Sequence, residues 1–296
     1  MGQITLEQVA EILNLILKAN VTGETVQKTL IERFDLVEAM MRHPDAVKAM
    51  NPSLFEAFLV SSVHPQMWLF ETPPVKVEEE FVSEYGYPAG WRLKAVEAQL
   101  AILDDFFPGL TLKAEVPASL PEGAEGWLLA PKPSKIANTY NEALSKLLSL
   151  ITGVSPSFVN PRKERLGPEH LRPAERTNQV LDKLEHSTPG DYLVLAIQCG
   201  LQYRAESVSQ ARQAFRETEY GLGPFEVASL LLIHPERLTA YEHLGIDCPG
   251  GEYAANAGGD FHYALCFNWS EGGLYLDCSS VEGIAPGFGS ASGFVE

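Results

Sequence analysis

Five side chains able to ligate a cation or move a proton stand within sixteen residues: Asp247, Cys248, Glu252, Asp260 and His262. They fall in two glycine-bearing stretches, Asp247-Cys248-Pro249-Gly250-Gly251-Glu252 and Gly258-Gly259-Asp260-Phe261-His262. Glycine lets a backbone approach a ligand closely, and carboxylate oxygen with imidazole nitrogen suits a divalent cation. Asp260 and His262 are the expected metal pair, because on an extended strand both lie on the face opposite Phe261 and Tyr263. The spacing fits neither an EF-hand loop nor H-E-x-x-H, and turns leading into a polar sheet face account for the same residues. A second chemistry would use Cys248 as nucleophile with His262 or His243 as base, which requires a neighbouring imidazolium or helix N-terminus to lower the thiol pKa. Cys266 and Cys199 read as buried packing residues. The chain has no G-x-S-x-G, and it has neither of the familiar glycine-rich phosphate loops.

These residues sit in a segment of unusual charge. From Leu238 to Glu296 there is no Lys or Arg, while Glu242, Asp247, Glu252, Asp260, Glu271, Asp277, Glu282 and Glu296 are acidic. Unpaired carboxylates cost several kcal/mol each to bury, so they are expected in solvent, against a cation, or against a basic partner. The one locally basic stretch carries Arg162, Lys163, Arg165, Arg172 and Arg176 among glutamates and prolines. It reads as a linker or solvated connection more simply than as a phosphate site, with docking on the acidic segment of its own chain or of a neighbour as further alternatives. Docking on a neighbour would mean self-association.

The whole chain has 39 Asp and Glu against 22 Lys and Arg, a formal charge of -17. Such a field repels phosphate backbones and anionic lipid, so neither nucleic acid nor membrane is an expected partner. No apolar run is long enough to span a bilayer, and the stretch from Val9 to Leu17, flanked and interrupted by Glu7 and Glu11, reads as mature protein. Four cysteines without C-x-x-C spacing are too few for a disulfide scaffold, which makes a soluble, cytoplasmic protein the expectation.

The elements that must position these residues follow from periodicity. Thr5 and Gln8 form a capping box before Val9, Ile12, Leu13, Ile16 and Leu17; a second helix spans about 24–42, and Asn51-Pro52 opens a third. Residues 66–90, rich in proline and aromatics, read as a joint. Beyond it the spacing predicts a helix over 92–106, strands over 110–116 and 126–130, a helix over 138–151 and a buried strand over 191–198. Ser207 and Gln210 cap a helix running to about 219, and Pro224 starts an apolar one ending at His234. Phe261, Tyr263, Leu265, Phe267 and Trp269 alternate before Glu271-Gly272-Gly273, and Leu274–Cys278 returns, an antiparallel hairpin. His43-Pro44, His64-Pro65 and His234-Pro235 read as helix punctuation.

The fold expected is α+β: a helical N-terminal region over 1–65, then a mixed α/β domain over 66–296 that ends in the acidic, glycine-rich segment 238–296 with its hairpin. Leu230–Leu238 (LLLIHPERL), Ile246-Asp247-Cys248 with Glu252, Gly259-Asp260-Phe261, and Gly289-Ser290-Ala291-Ser292-Gly293-Phe294 together resemble an uncharacterised family of uncultured small-genome bacteria and their mobile elements. A looser echo lies in Leu120–Lys132 (LPEGAEGWLLAPK). The resemblance implies kinship and brings no assigned activity and no catalytic residue. The function expected from the residues is binding, with an acidic C-terminal surface meeting a basic partner or a cation; the alternative is a metal-assisted hydrolase using Asp247, Glu252, Asp260 and His262.

Overall fold

The computed structural model describes residues 83–257 and 259–295. The chain divides into two units, Met1–Met67 and Trp68–Glu296, and only the second is described. The expected N-terminal helices, the first two His-Pro pairs and most of the 66–90 joint therefore lie outside the described residues.

The elements in order are α1 (Val96–Phe106), β1 (Gly126–Pro131), a one-turn α2 (Pro133–Ile136), α3 (Tyr140–Val154), β2 (Leu171–Pro173), α4 (Glu175–Ser187), β3 (Tyr192–Gln198), α5 (Val208–Ala214), β4 (Glu219–Gly221) and α6 (Pro224–Ile233). There follow β5 (Gly245–Asp247), β6 (Gly251–Tyr253), β7 (Tyr263–Ser270), β8 (Gly273–Ser280), β9 (Phe288–Ser290) and β10 (Ser292–Phe294). The class is α+β. One sheet has the order β1-β3-β10-β4 and the other β2-β6-β7-β5-β9, with β8 on β7. Every pairing is antiparallel except β5 with β9.

Helix α6 is buried along all of its length and packs on α3 and β1, as a helix that is apolar all round must be. Its N-terminus lies in the core, where water cannot reach the free amides. Two side chains replace the water. The Glu226 carboxylate accepts from Gly223 N at 2.8 Å, and Tyr140 Oη accepts from Phe225 N at 3.3 Å. The helix stops at Ile233 with His234 as its C-cap, and Pro235 begins a single 3-10 turn.

The hairpin is β7 and β8, joined by Glu271-Gly272 with φ of 50° and 78°. Two positive φ values are what a type I′ turn requires, and its twist matches that of the strands. The sheet edge at β1 is closed by a side chain. Gln99 on α1 accepts from Leu129 N at 2.9 Å and donates to Trp127 O at 2.7 Å, imitating a neighbouring strand.

Three expectations shift. The alternating residues 110–116 form no strand beyond a single bridge, Leu112 with Gly190, because Thr111 is held instead by the Asp191 carboxylate that precedes β3. Helix α1 starts at Val96, since Lys94 is drawn to Ile233 O and Glu236. Helix α5 keeps its Ser207–Gln210 capping box but ends at Ala214. The residues beyond it turn so that Glu219 can reach Tyr203 and Ser292 from β4.

The two sheets are joined at Ala291, which separates β9 in one from β10 in the other. Ala291 N donates to Asp247 O at 3.2 Å, and Ala291 O accepts from Leu222 N at 3.0 Å. Gly289 passes so close to Gly200 that a Cβ on Gly289 would stand 2.1 Å from Gly200 O. Replacing Gly289 with Ala should therefore cost about 2–4 kcal/mol in urea unfolding, whereas Gly272→Ala, strained in φ but facing open space, should cost about 1 kcal/mol. Equal losses would show that the crossing has room to give.

Candidate functional site

The five candidate residues separate into two groups. Asp247 and Cys248 are in the core, at 5% and 0% exposure. Burial pushes the Asp247 carboxyl up to about 7 and the Cys248 thiol well above its usual range. The α6 N-terminus packs on the turn after Cys248, but Glu226 occupies it and, with Asp247, pushes the thiol further up, so its thiolate is suppressed. Asp247 Oδ1 has no hydrogen-bond partner.

The other three reach the surface. Glu252 on β6 binds Arg172 Nε at 2.7 Å, and the same guanidinium lies 4.0 Å from the Phe261 ring centroid. On either side of Phe261, Asp260 and His262 pair with each other at 2.8 Å, both largely exposed. They precede β7 and are not on it, so the shared strand face inferred from alternation is replaced by a direct side-chain contact in an irregular segment. Among the described residues, no group of three or more His, Cys, Asp or Glu side chains is placed to hold a metal ion. With Asp247 enclosed and Glu252 engaged by Arg172, the four groups of the hydrolase alternative share no centre.

The acidic segment is partly matched from within. Arg162 Nη2 holds Asp277 at 2.6 Å, Arg172 holds Glu252, and Arg165 donates to Ala255 O at 3.4 Å. The basic stretch is thus a strap laid on the acidic segment of its own chain, not a free connection. Glu242, Asp260, Glu271 and Glu282 remain exposed with no Lys or Arg at salt-bridge distance among the described residues. Glu252, Asp260, His262 and Glu282 share one end of the hairpin: Val281 N donates to His262 O, and the fields of both Glu252 and Glu282 act on Arg212. This is an acidic rim.

A second feature escaped the sequence reading. A cleft of about 590 Å³ is lined by Tyr87, Trp91, Lys94, Glu125 and Trp127, among others. Behind it Arg237, fully buried, lies 4.1 Å from the Tyr87 ring centroid and 5.4 Å from that of Trp91. Its guanidinium donates to Leu244 O at 2.9 Å and Cys199 O at 3.2 Å. Glu125 accepts from Tyr87 Oη at 2.9 Å and from Cys199 N at 3.3 Å. His234, its ring edge-on to Trp91, is pushed down to about 4 by burial and by the Lys94 ammonium, so it is neutral. Polar groups placed directly after an all-apolar helix, in His234-Pro235-Glu236-Arg237, were the available signal: such residues can only enter the core or cap the helix. The charged side chains lining the cleft are engaged internally, Glu125 by Tyr87 and Cys199 N, and Lys94 by Ile233 O and Glu236.

No protein-family model, no curated protein and no solved structure matches this chain.

The buried ionisable groups set a pH dependence. Glu226 and Asp247 both titrate near 7 in the folded chain, against ordinary values of 4.5 and 3.8. Folding therefore takes up protons there, and stability falls as pH rises toward 7. His234 acts oppositely, adding stability between about 4 and its ordinary 6.5. Above 6.5 the carboxyls act alone. The urea midpoint should therefore drop between pH 6.5 and 8, and Asp247→Asn or Glu226→Gln should each flatten part of that drop. A midpoint that rises over this window would refute the assignment.

Proposed function

We propose that this chain is a binding protein whose acidic rim receives a basic segment of another protein. The observation that carries the reading is the pair of rim carboxylates in the Lys- and Arg-free segment, Asp260 and Glu282, that stay exposed after the chain's own arginines have been used on Glu252 and Asp277; Glu242 and Glu271, elsewhere on the surface, add to the field. Uncompensated surface carboxylates raise the encounter rate with cationic partners and disfavour anionic ones, which speaks against nucleic acid and lipid. Within the rim, Asp260 and Glu282 supply charge, while Phe261 and the Arg172 stem add an apolar floor beneath a lysine or arginine chain. The four cysteines stand as free thiols, in keeping with a cytoplasmic setting. The likeness to a family of small-genome bacteria adds kinship to this reading and no activity.

The test uses a fluorescent octalysine peptide and its anisotropy at low and high salt. Affinity should fall steeply with salt, and Asp260→Asn with Glu282→Gln should weaken binding about tenfold at low salt, near 1.4 kcal/mol. Asp104→Asn with Asp105→Asn, an equal change of charge on exposed α1, should matter far less. If both double variants lose affinity alike, the attraction belongs to net charge and the rim has no special part in it.

A further inference from the structure

Four side chains form a row across one face of the second sheet. Asp277 on β8 is opposite Cys266 on β7, Cys266 is opposite Asp247 on β5, and Asp247 is level with Ser290 on β9. Residues in register share a face, so Asp247 stands between a thiol and a hydroxyl. Neither Asp247 Oδ1 nor Ser290 Oγ has a hydrogen-bond partner, and both residues are buried. The ionisable groups around Asp247 are the Cys248 and Cys266 thiols, which feel its field, with Asp277 one strand beyond and Glu226 of α6 acting on Cys248. Nearby cations are spent elsewhere: Arg212 of α5 on the carbonyls of Pro249 and Gly251, Arg204 on Tyr85 O, and Arg162 on Asp277. Burial alone governs the Asp247 carboxyl, and no cation offsets it.

On one side of Asp247 lies the end of its sheet. Strand β9 is three residues long, and apart from β5 it is held by Ala205 N donating to Phe288 O at 2.9 Å, by Gln198 Nε2 donating to Ser290 O at 2.8 Å and by the Arg204–Gly289 bridge. Just before it, Gly245 N donates to Gly287 O at 2.8 Å and Ser83 Oγ to Pro286 O at 2.6 Å. Strand β10, by contrast, is clasped between β3 and β4. Lifting β9 would give the carboxyl water and break one side-chain bond to the other sheet, from Gln198 Nε2 to Ser290 O, while leaving the pairing of β10 in place.

We propose that the β5–β9 seam is a proton-dependent latch: it is shut when Asp247 carries a proton, and residues 284–290 lift to hydrate the carboxylate when the proton leaves. The opening would move the loop that follows Glu282, and it stands independently of what the acidic rim binds. A water bridging Asp247 and Ser290 would satisfy both oxygens but would not cancel a charge.

Amide hydrogen exchange in the intact chain tests it, each rate divided by the intrinsic rate at that pH. The amides of Gly245 and Ala205, which donate to the lifting segment, should lose protection about tenfold per pH unit from 5 to 7 and level off above 8, because one proton is released on opening. Val194 and Leu195 on β3, which open only with the whole chain, should stay far better protected and track the global stability, and Glu226→Gln should change their profile while leaving that of Gly245 and Ala205 unchanged. Asp247→Asn should abolish the slope. If that variant fails to fold, the contrast between Gly245 or Ala205 and β3 in the unmodified chain decides alone. Protection of equal size at Gly245, Ala205 and the β3 amides would mean global unfolding and would overturn the latch, as would pH-independent protection. Protection restored at pH 8 by potassium or calcium would overturn it too, in favour of a cation site.

Discussion

The fold depends on one crossing. A single alanine, Ala291, separates a strand of one sheet from a strand of the other, and its two backbone groups are bonded to Asp247 and Leu222. Neither sheet is complete without this segment: β3 and β4 meet only through β10, and β5 has β9 as its outer neighbour. The chain can pass here because Gly200 and Gly289 remove the side chains that would collide. Sequence, backbone approach and sheet closure are thus one constraint, and a buried carboxyl sits directly beside it.

That placement changes the meaning of the most distinctive residues. The LLLIHPERL stretch builds a wholly buried helix and its polar terminus, Ile246-Asp247-Cys248 is a core strand, and Gly289–Phe294 is the crossing itself. Residues that look chemical in a row of letters hold the architecture. The surface left over is acidic, and it is at the surface that a partner would be met.

What could be read beforehand was whatever depends on near neighbours. The β7–β8 hairpin follows from strict alternation and a two-residue turn, and the α5 cap from Ser207 and Gln210, three apart. The early end of α5 could not be read, since Glu219 is claimed by Tyr203 and Ser292, which are 16 and 73 residues away. The same holds for the candidate site. Asp247 and Asp260 are alike in the sequence, and only the sheet pairing decides that one is enclosed and the other hydrated. Arg237 was hidden for a related reason: its aromatic neighbours Tyr87 and Trp91 lie some 150 residues earlier.

The carboxamide of Gln99 has a wider consequence. By occupying the amide of Leu129 and the carbonyl of Trp127, it fills the middle of the edge that β1 would otherwise offer to a foreign strand. An incoming strand would have to displace that carboxamide before it could pair there. One side chain on a neighbouring helix thus blunts one border of the sheet.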